Sequence, residues 1–146
     1  MEERTISRIV VDCSIIMAHI LPDEDHEESE RIIHQIQMDG VQVLVPALFC
    51  IEVNNVLYIA HKRNRIDRKQ WDEGIHLFQN IPFETDQKST QPGYMSRMAE
   101  LSRTNDLTIY DATYLELALR RNAQLATLDE QLKRAAQKYT VYYSAR

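Results

Sequence analysis

The sequence predicts an α/β protein: a three-layer α/β/α sandwich around a central, mainly parallel sheet of four to five strands. Short apolar, β-branched runs, "RIVVD", "VQVLVP" and "QLATLD", alternate with longer amphipathic segments. These runs are apolar almost throughout, as expected of strands covered by helices on both faces. The 146 residues and 44% apolar content suit one compact domain, residues 1–146, whose core needs no disulfide or metal staple. Right-handed crossovers between parallel strands then distribute the helices over both sides of the sheet.

Each element follows in order. "RIVVD" is a buried strand ending in an acid, and "SIIMAHIL" a short helix with Ser14 near its N-cap, closed by Pro22. "DEDHEESERIIHQIQMDG" is a helix with acids in its first turn, an Ile32/Ile33/Ile36 stripe and a stop at Gly40. "VQVLVP" is the second strand. "ALFCIEVNNVLYIAHKRN" and "DRKQWDEGIHLFQNI" form a helical hairpin, about 47–80, turning near Arg65. Asp67 and Gln70 have capping-box spacing at its second helix. "PFET" is a possible third strand and "DQKSTQPG" a loop. Two helices follow, "YMSRMAELSRTN" and "YDATYLELALRRN", then the strand "QLATLD", the helix "EQLKRAAQK" and a last strand "VYY".

The formal net charge of −5 argues against a generic basic nucleic-acid coat but says nothing about a local basic patch. No apolar run approaches the roughly 18 residues that span a bilayer. "MEERTISRIVVD" lacks the long apolar centre of a signal peptide. Cys13 and Cys50, each flanked by apolar residues, read as reduced, buried thiols of a cytoplasmic protein. The histidines (19, 26, 34, 61, 76) show no zinc-site spacing.

Four acids stand in suspicious places. Asp111 precedes Tyr114 and Leu115 by three and four residues and Ala118 by seven, which puts it on the apolar face of its helix. Buried there ionised and unpartnered, it would cost several kcal/mol or more. Glu52, mid-helix, has Leu48, Phe49, Val56 and Ile59 as its helical neighbours. Asp12 and Asp129 end strands, and open parallel sheets bind ligands beyond the carboxyl ends of their strands. Each acid also has an ordinary reading. Asp12 begins a turn or caps the next helix, and Asp129 caps "EQLKRAAQK" unless Thr127 and Glu130 form a capping box there. Asp111 is a first-turn acid favoured by the helix dipole, and Glu52 pairs with an arginine. Together, four carboxylates meeting at one sheet edge repel and raise one another's pKa unless a divalent cation neutralises them. Oxygen ligands without His or Cys suit Mg²⁺ or Mn²⁺. Without an obvious nucleophile nearby, the chemistry is metal-assisted phosphodiester hydrolysis.

The succession "VVDCS", "PALFCIEVNNVL", "LTIYDATYLELA", "LATLDEQLKRAA" resembles the PIN domain family, and within it the VapC-like toxins of prokaryotic toxin–antitoxin pairs. The likeness runs from about Ile9 to Val141. A glycine expected before the last strand is Asn122 here, which tolerates the left-handed conformation. The resemblance implies a PIN-like sandwich whose metal-binding carboxylates are Asp12, Glu52, Asp111 and Asp129. Ser14 and Thr127 match the family's small hydroxyls near the first and last acids. It also implies an endoribonuclease leaving 5′-phosphate and 3′-hydroxyl ends, a homodimer, and a small cognate antitoxin. RNA as substrate comes from the resemblance, not from the residues.

The basic stretch "HKRNRIDRK" at the hairpin tip offers Lys62, Arg63, Arg65 and Arg68 as an RNA phosphate grip. Its ordinary reading is a solvated turn. Arg120, Arg121, Lys133 and Arg134 are a second, weaker candidate. "WDEGIHLF" supplies Trp71, Ile75, Leu77 and Phe78 either to a dimer interface or to the parent domain. Two rival readings stay open: a catalytically silent binding or scaffold protein on the same fold, and a nuclease acting on DNA. A phosphotransfer enzyme with Asp12 as nucleophile fits less well, because the usual second acid two residues on is Ser14.

Overall fold

The structure, a computed structural model, describes residues 7–22, 27–38 and 40–144. The extreme N-terminal stretch and the acid-rich 23–26 lie outside those residues.

Four strands build one fully parallel sheet: β1 (Arg8–Val11), β2 (Gln42–Pro46), β3 (Phe83–Asp86) and β4 (Gln124–Ala126), in the order β3-β2-β1-β4. Ile9 pairs with Val43 on one side and with Gln124 on the other, which places β1 at the centre. Ile9, Val10, Val43, Leu44, Val45 and Leu125 are all buried, as strands covered on both faces must be. The expected last strand "VYY" is reduced to a bridge of Leu125 with Tyr142. Thr140, at φ 58, turns the chain just before it, and the Leu125 backbone is bonded to Val141 and Tyr143.

The helices are α1 (Cys13–Ile20), α2 (Glu27–Met38), α3 (Leu48–Lys62), α4 (Arg68–Gln79), α5 (Met95–Asn105), α6 (Ile109–Arg120) and α7 (Glu130–Lys138). The α1 helix packs on α2 and α3; α6 lies across β1, β2 and β4 with α5 and α7 beside it. Right-handed crossovers put these two groups on opposite faces, giving the expected α/β/α layers. The supposed loop after β3 contains two 3-10 turns, Lys88–Thr90 and Pro92–Tyr94. The Asp67/Gln70 capping box forms as its spacing predicts. Asn122 adopts φ 51, in the left-handed region where a glycine is expected.

Because β1 leads to β2 on one side and has β4 on the other, the strand order reverses between β1 and β4. A crevice opens at the carboxyl ends of such a pair. Asp12 follows β1 directly, and Thr127 and Asp129 follow β4.

Candidate active site

Asp12 is the N-cap of α1, not Ser14: its side chain accepts the Ser14 N–H. Its Oδ1 takes the Ser14 hydroxyl at 2.5 Å and its Oδ2 the Thr127 hydroxyl at 2.6 Å. Ser14 Oγ in turn accepts the Leu128 N–H at 2.9 Å, and Thr127 Oγ1 the Asp129 N–H at 3.0 Å. These bonds tie the ends of β1 and β4 together across the crevice and fix the Asp12 carboxyl in one orientation. The residue is only 4% exposed. Burial pushes its pKa up to about 6 against the pull of the two hydroxyls, and the Asp111 charge pushes the same way.

The other three acids arrive from separate segments. Asp111 stands in the first turn of α6, which Thr108 caps by accepting the Asp111 N–H. Burial and the neighbouring Asp129 charge raise its pKa. Glu52 lies on α3 and is half-buried with Leu48, Val56 and Ile59, beside the fully buried stripe of Phe49, Val53 and Leu57. Burial raises its pKa, the Tyr114 hydroxyl at 2.9 Å opposes this, and Asp111 adds to it. Burial and Glu52 hold the Tyr114 phenol far above its ordinary pKa, so it is the donor. Asp129 is exposed and caps α7, accepting the Leu132 N–H at 2.8 Å. Thr127, bonded to Asp12, takes no part in that cap, which removes the alternative capping box.

Four distant acids are thus linked by charge, with Asp111 the member that Asp12, Glu52 and Asp129 each couple to. Among the described residues none forms an ion pair with Lys or Arg. The arginine pairing considered for Glu52 occurs elsewhere. Arg120 grips Asp86 with two bonds of 3.0 and 2.7 Å and Glu116 at 2.8 Å. Arg121 pairs with Glu84, so Arg120 and Arg121 are committed within the fold rather than held out to a phosphate.

The donor set suits a hard cation, with all-oxygen ligands, raised pKa values at Asp12, Glu52 and Asp111 and no competing guanidinium. As the side chains stand, the described residues contain no group of three or more His, Cys, Asp or Glu that could hold a metal ion together. Mg²⁺ does not require one, since it keeps several waters and takes one or two carboxylates. Cys13, half-buried and raised by burial and the Glu52 and Asp12 charges, stays a neutral thiol.

The remaining expected residues lie apart. Lys62, Arg63, Arg65 and Arg68 are exposed where α3 turns into α4, Lys62 ending the first helix and Arg68 opening the second. Ten residues separate Lys62 from Glu52, about 15 Å along the helix. Lys62 sits over the Tyr58 ring at 6.0 Å and Arg68 pairs with Asp72 at 3.5 Å. Trp71, Ile75 and Phe78 pack against the protein's own core, with Trp71 between Tyr58 and His61. Cys50 is exposed, not buried; both cysteines are free thiols. What the sequence did not reveal is Tyr114 as a partner of Glu52. The two are 62 positions apart, and an aromatic at helical spacing reads as core.

The PIN domain family model matches residues 9–138. Ribonuclease VapC3 of Pyrobaculum aerophilum is 30% identical over 127 residues, 86% of this chain and 92% of that protein. Among solved structures, Mycobacterium tuberculosis VapC20, described as a sarcin-ricin loop cleaving toxin, superposes with a TM-score of 0.64 at 14% identity, over 87% of this chain and 94% of that one. VapBC2 of Rickettsia felis, bound to a DNA fragment from its promoter, gives 0.62 at 16% identity, over 88% and 92%.

Proposed function

The chain belongs to the PIN domain family, and from that premise we propose that it is a Mg²⁺- or Mn²⁺-dependent endoribonuclease, the toxin of a VapBC-like toxin–antitoxin pair. One observation carries the reading: a buried Asp12 raised to about 6 is charge-coupled, through Asp111, to Glu52 and Asp129, and no basic side chain among the described residues neutralises them. The similarity to a VapC ribonuclease over most of both chains supplies RNA as substrate. No helix of the described residues is long and apolar enough to cross a membrane, which suits a cytoplasmic setting.

Asp12, Glu52, Asp111 and Asp129 would hold the cation. When bound, it supplies positive charge that neutralises the scissile phosphate, lowers the pKa of the attacking water and stabilises the leaving oxygen. The chain's own part is positioning. Ser14 and Thr127 hold both Asp12 oxygens, so that carboxylate does not have to be ordered when the cation arrives. Asp111 and Glu52 would hold the cation and orient the water that attacks phosphorus in line. Asp129, which is exposed, would complete the shell directly or through water. Lys62, Arg63, Arg65 and Arg68 are proposed to hold the RNA backbone. Residues 1–146 are read as one domain carrying the 47–80 hairpin. A homodimer and a cognate antitoxin follow from the family.

The test is to incubate the purified protein with single-stranded RNA, tRNA and single-stranded DNA in Mn²⁺, with Asp12→Asn alongside, and to map the ends. Metal-dependent RNA cleavage leaving 5′-phosphates, lost in Asp12→Asn, supports the proposal. Preferential DNA cleavage, or no cleavage with antitoxin-free protein, contradicts it.

A further inference from the structure

Glu52 is a flexible side chain on a half-buried helix flank. Left free, it would have to give up several rotamers on taking a cation. Tyr114 removes most of that freedom in advance. It is 1% exposed, set in the core of α6 one turn beyond Asp111. Its hydroxyl reaches out of the core to Glu52 Oε1 at 2.9 Å. A phenol is a donor here, because an ionised carboxylate can only accept. One Glu52 oxygen is therefore held by a rigid two-torsion side chain, and Oε2 is left for a ligand. The same helix carries Asp111 in its first turn, so α6 sets both Asp111 and the orientation of Glu52.

We infer that Tyr114 is a positioning residue for the proposed cation site, fixing Glu52 through its hydroxyl without touching ion or substrate. The inference rests on the four-carboxylate reading given above. It parallels the hold that Ser14 and Thr127 keep on Asp12, but acts on a carboxylate carried by α3 rather than by the end of β1.

The experiment measures Mn²⁺ affinity by calorimetry on the intact chain for wild type, Tyr114→Phe, Glu52→Gln and the double variant. Tyr114→Phe keeps the buried ring, and water can reach half-exposed Glu52, so the fold is expected to survive. The expected result is an affinity about two- to tenfold weaker in Tyr114→Phe, the range for one rotamer-rich side chain that has to be immobilised. In the Glu52→Gln background the same change has no further effect, because there is no carboxylate left to hold. A merely structural tyrosine would weaken both backgrounds alike, and that result overturns the inference, as does unchanged affinity in Tyr114→Phe. If wild type binds no Mn²⁺, the carboxylate reading fails and the inference with it. If wild type binds and only the Tyr114 comparison fails, the inference alone is lost. A Mn²⁺-bound wild-type structure in which Glu52 has left Tyr114 would also overturn it, whether or not any variant folds.

Discussion

Asp12→Asn should make the metal-free protein more stable at neutral pH while abolishing its function. Burial holds the Asp12 carboxyl at about 6 against an ordinary value of 3.8. A folded pKa above the unfolded one means that folding favours the protonated form. Below about pH 4 the group is neutral in both states and no penalty exists. The penalty grows as pH rises through the window between the two values and is complete above about 6, where it amounts to about 3 kcal/mol at 1.36 kcal/mol per unit. Asparagine escapes it and remains a good N-cap. Its amide can replace one acceptor contact with Thr127 by a donor contact, at a cost of about 1 kcal/mol. The net gain of about 2 kcal/mol corresponds to roughly 4–8 °C in melting temperature for a domain near this size. The assay is thermal unfolding with EDTA at pH 7.5 and again near pH 4.5, followed by Mn²⁺ at pH 7.5. Asp12→Asn should melt higher at pH 7.5, and the gap should narrow at pH 4.5. Mn²⁺ at about 100 times its Kd should raise wild type by about 2.7 kcal/mol, closing or reversing the gap. Wild type melting above Asp12→Asn in EDTA at pH 7.5, or a gap indifferent to pH, would refute the reasoning.

Three further expectations concern other parts of the molecule. Arg120→Met leaves the buried Asp86 carboxylate (side chain 5% exposed) without its two-bond guanidinium partner, and leaves Glu116 (1% exposed) with only Arg97 at 3.7 Å. It should cost about 3–5 kcal/mol by urea unfolding, and a cost under about 1 kcal/mol would show the network to be dispensable. Neutralising Lys62, Arg63, Arg65 and Arg68 together should flatten the salt dependence of RNA binding, measured by fluorescence anisotropy, by about 0.7 for each phosphate these side chains neutralise. An unchanged slope would remove the hairpin tip from the RNA path. Thr108→Ala should cost about 1 kcal/mol by removing the α6 cap, read by thermal unfolding, and Mn²⁺ affinity should fall with it because Asp111 lies in that turn.

Much of the fold was legible because a parallel sheet leaves a strong mark. Strands β1, β2 and β4 are rich in buried apolar residues, so their runs stand out without alternation. "VYY" has a similar composition but lies beyond the left-handed Thr140 at the sheet edge, where pairing is reduced to a bridge. Cys50 looked buried because its sequence neighbours are apolar. On a helix its spatial neighbours include Ile51 and Asn54, and all three face solvent. The four carboxylates stood out in the sequence because two follow strands and two sit at helical offsets from apolar residues. The sequence posed capping and cleft roles for Asp12 and Asp129 as alternatives. The fold makes them compatible, since a helix that starts at the switch point puts its cap in the crevice. The Arg120 grip on Asp86 and the Tyr114 contact to Glu52 span 34 and 62 residues. Long-range pairings of that kind depend on how α6 lies across the sheet, which no local pattern encodes.

The most direct measurement is anomalous diffraction from crystals of this protein equilibrated with Mn²⁺. A cation-binding carboxylate cluster predicts an anomalous peak within about 2.5 Å of at least one Asp12 oxygen, with oxygens of Glu52, Asp111 or Asp129 completing the shell directly or through water. Saturating Mn²⁺ that gives no peak between β1 and β4, or places its ion elsewhere on the protein, would contradict it.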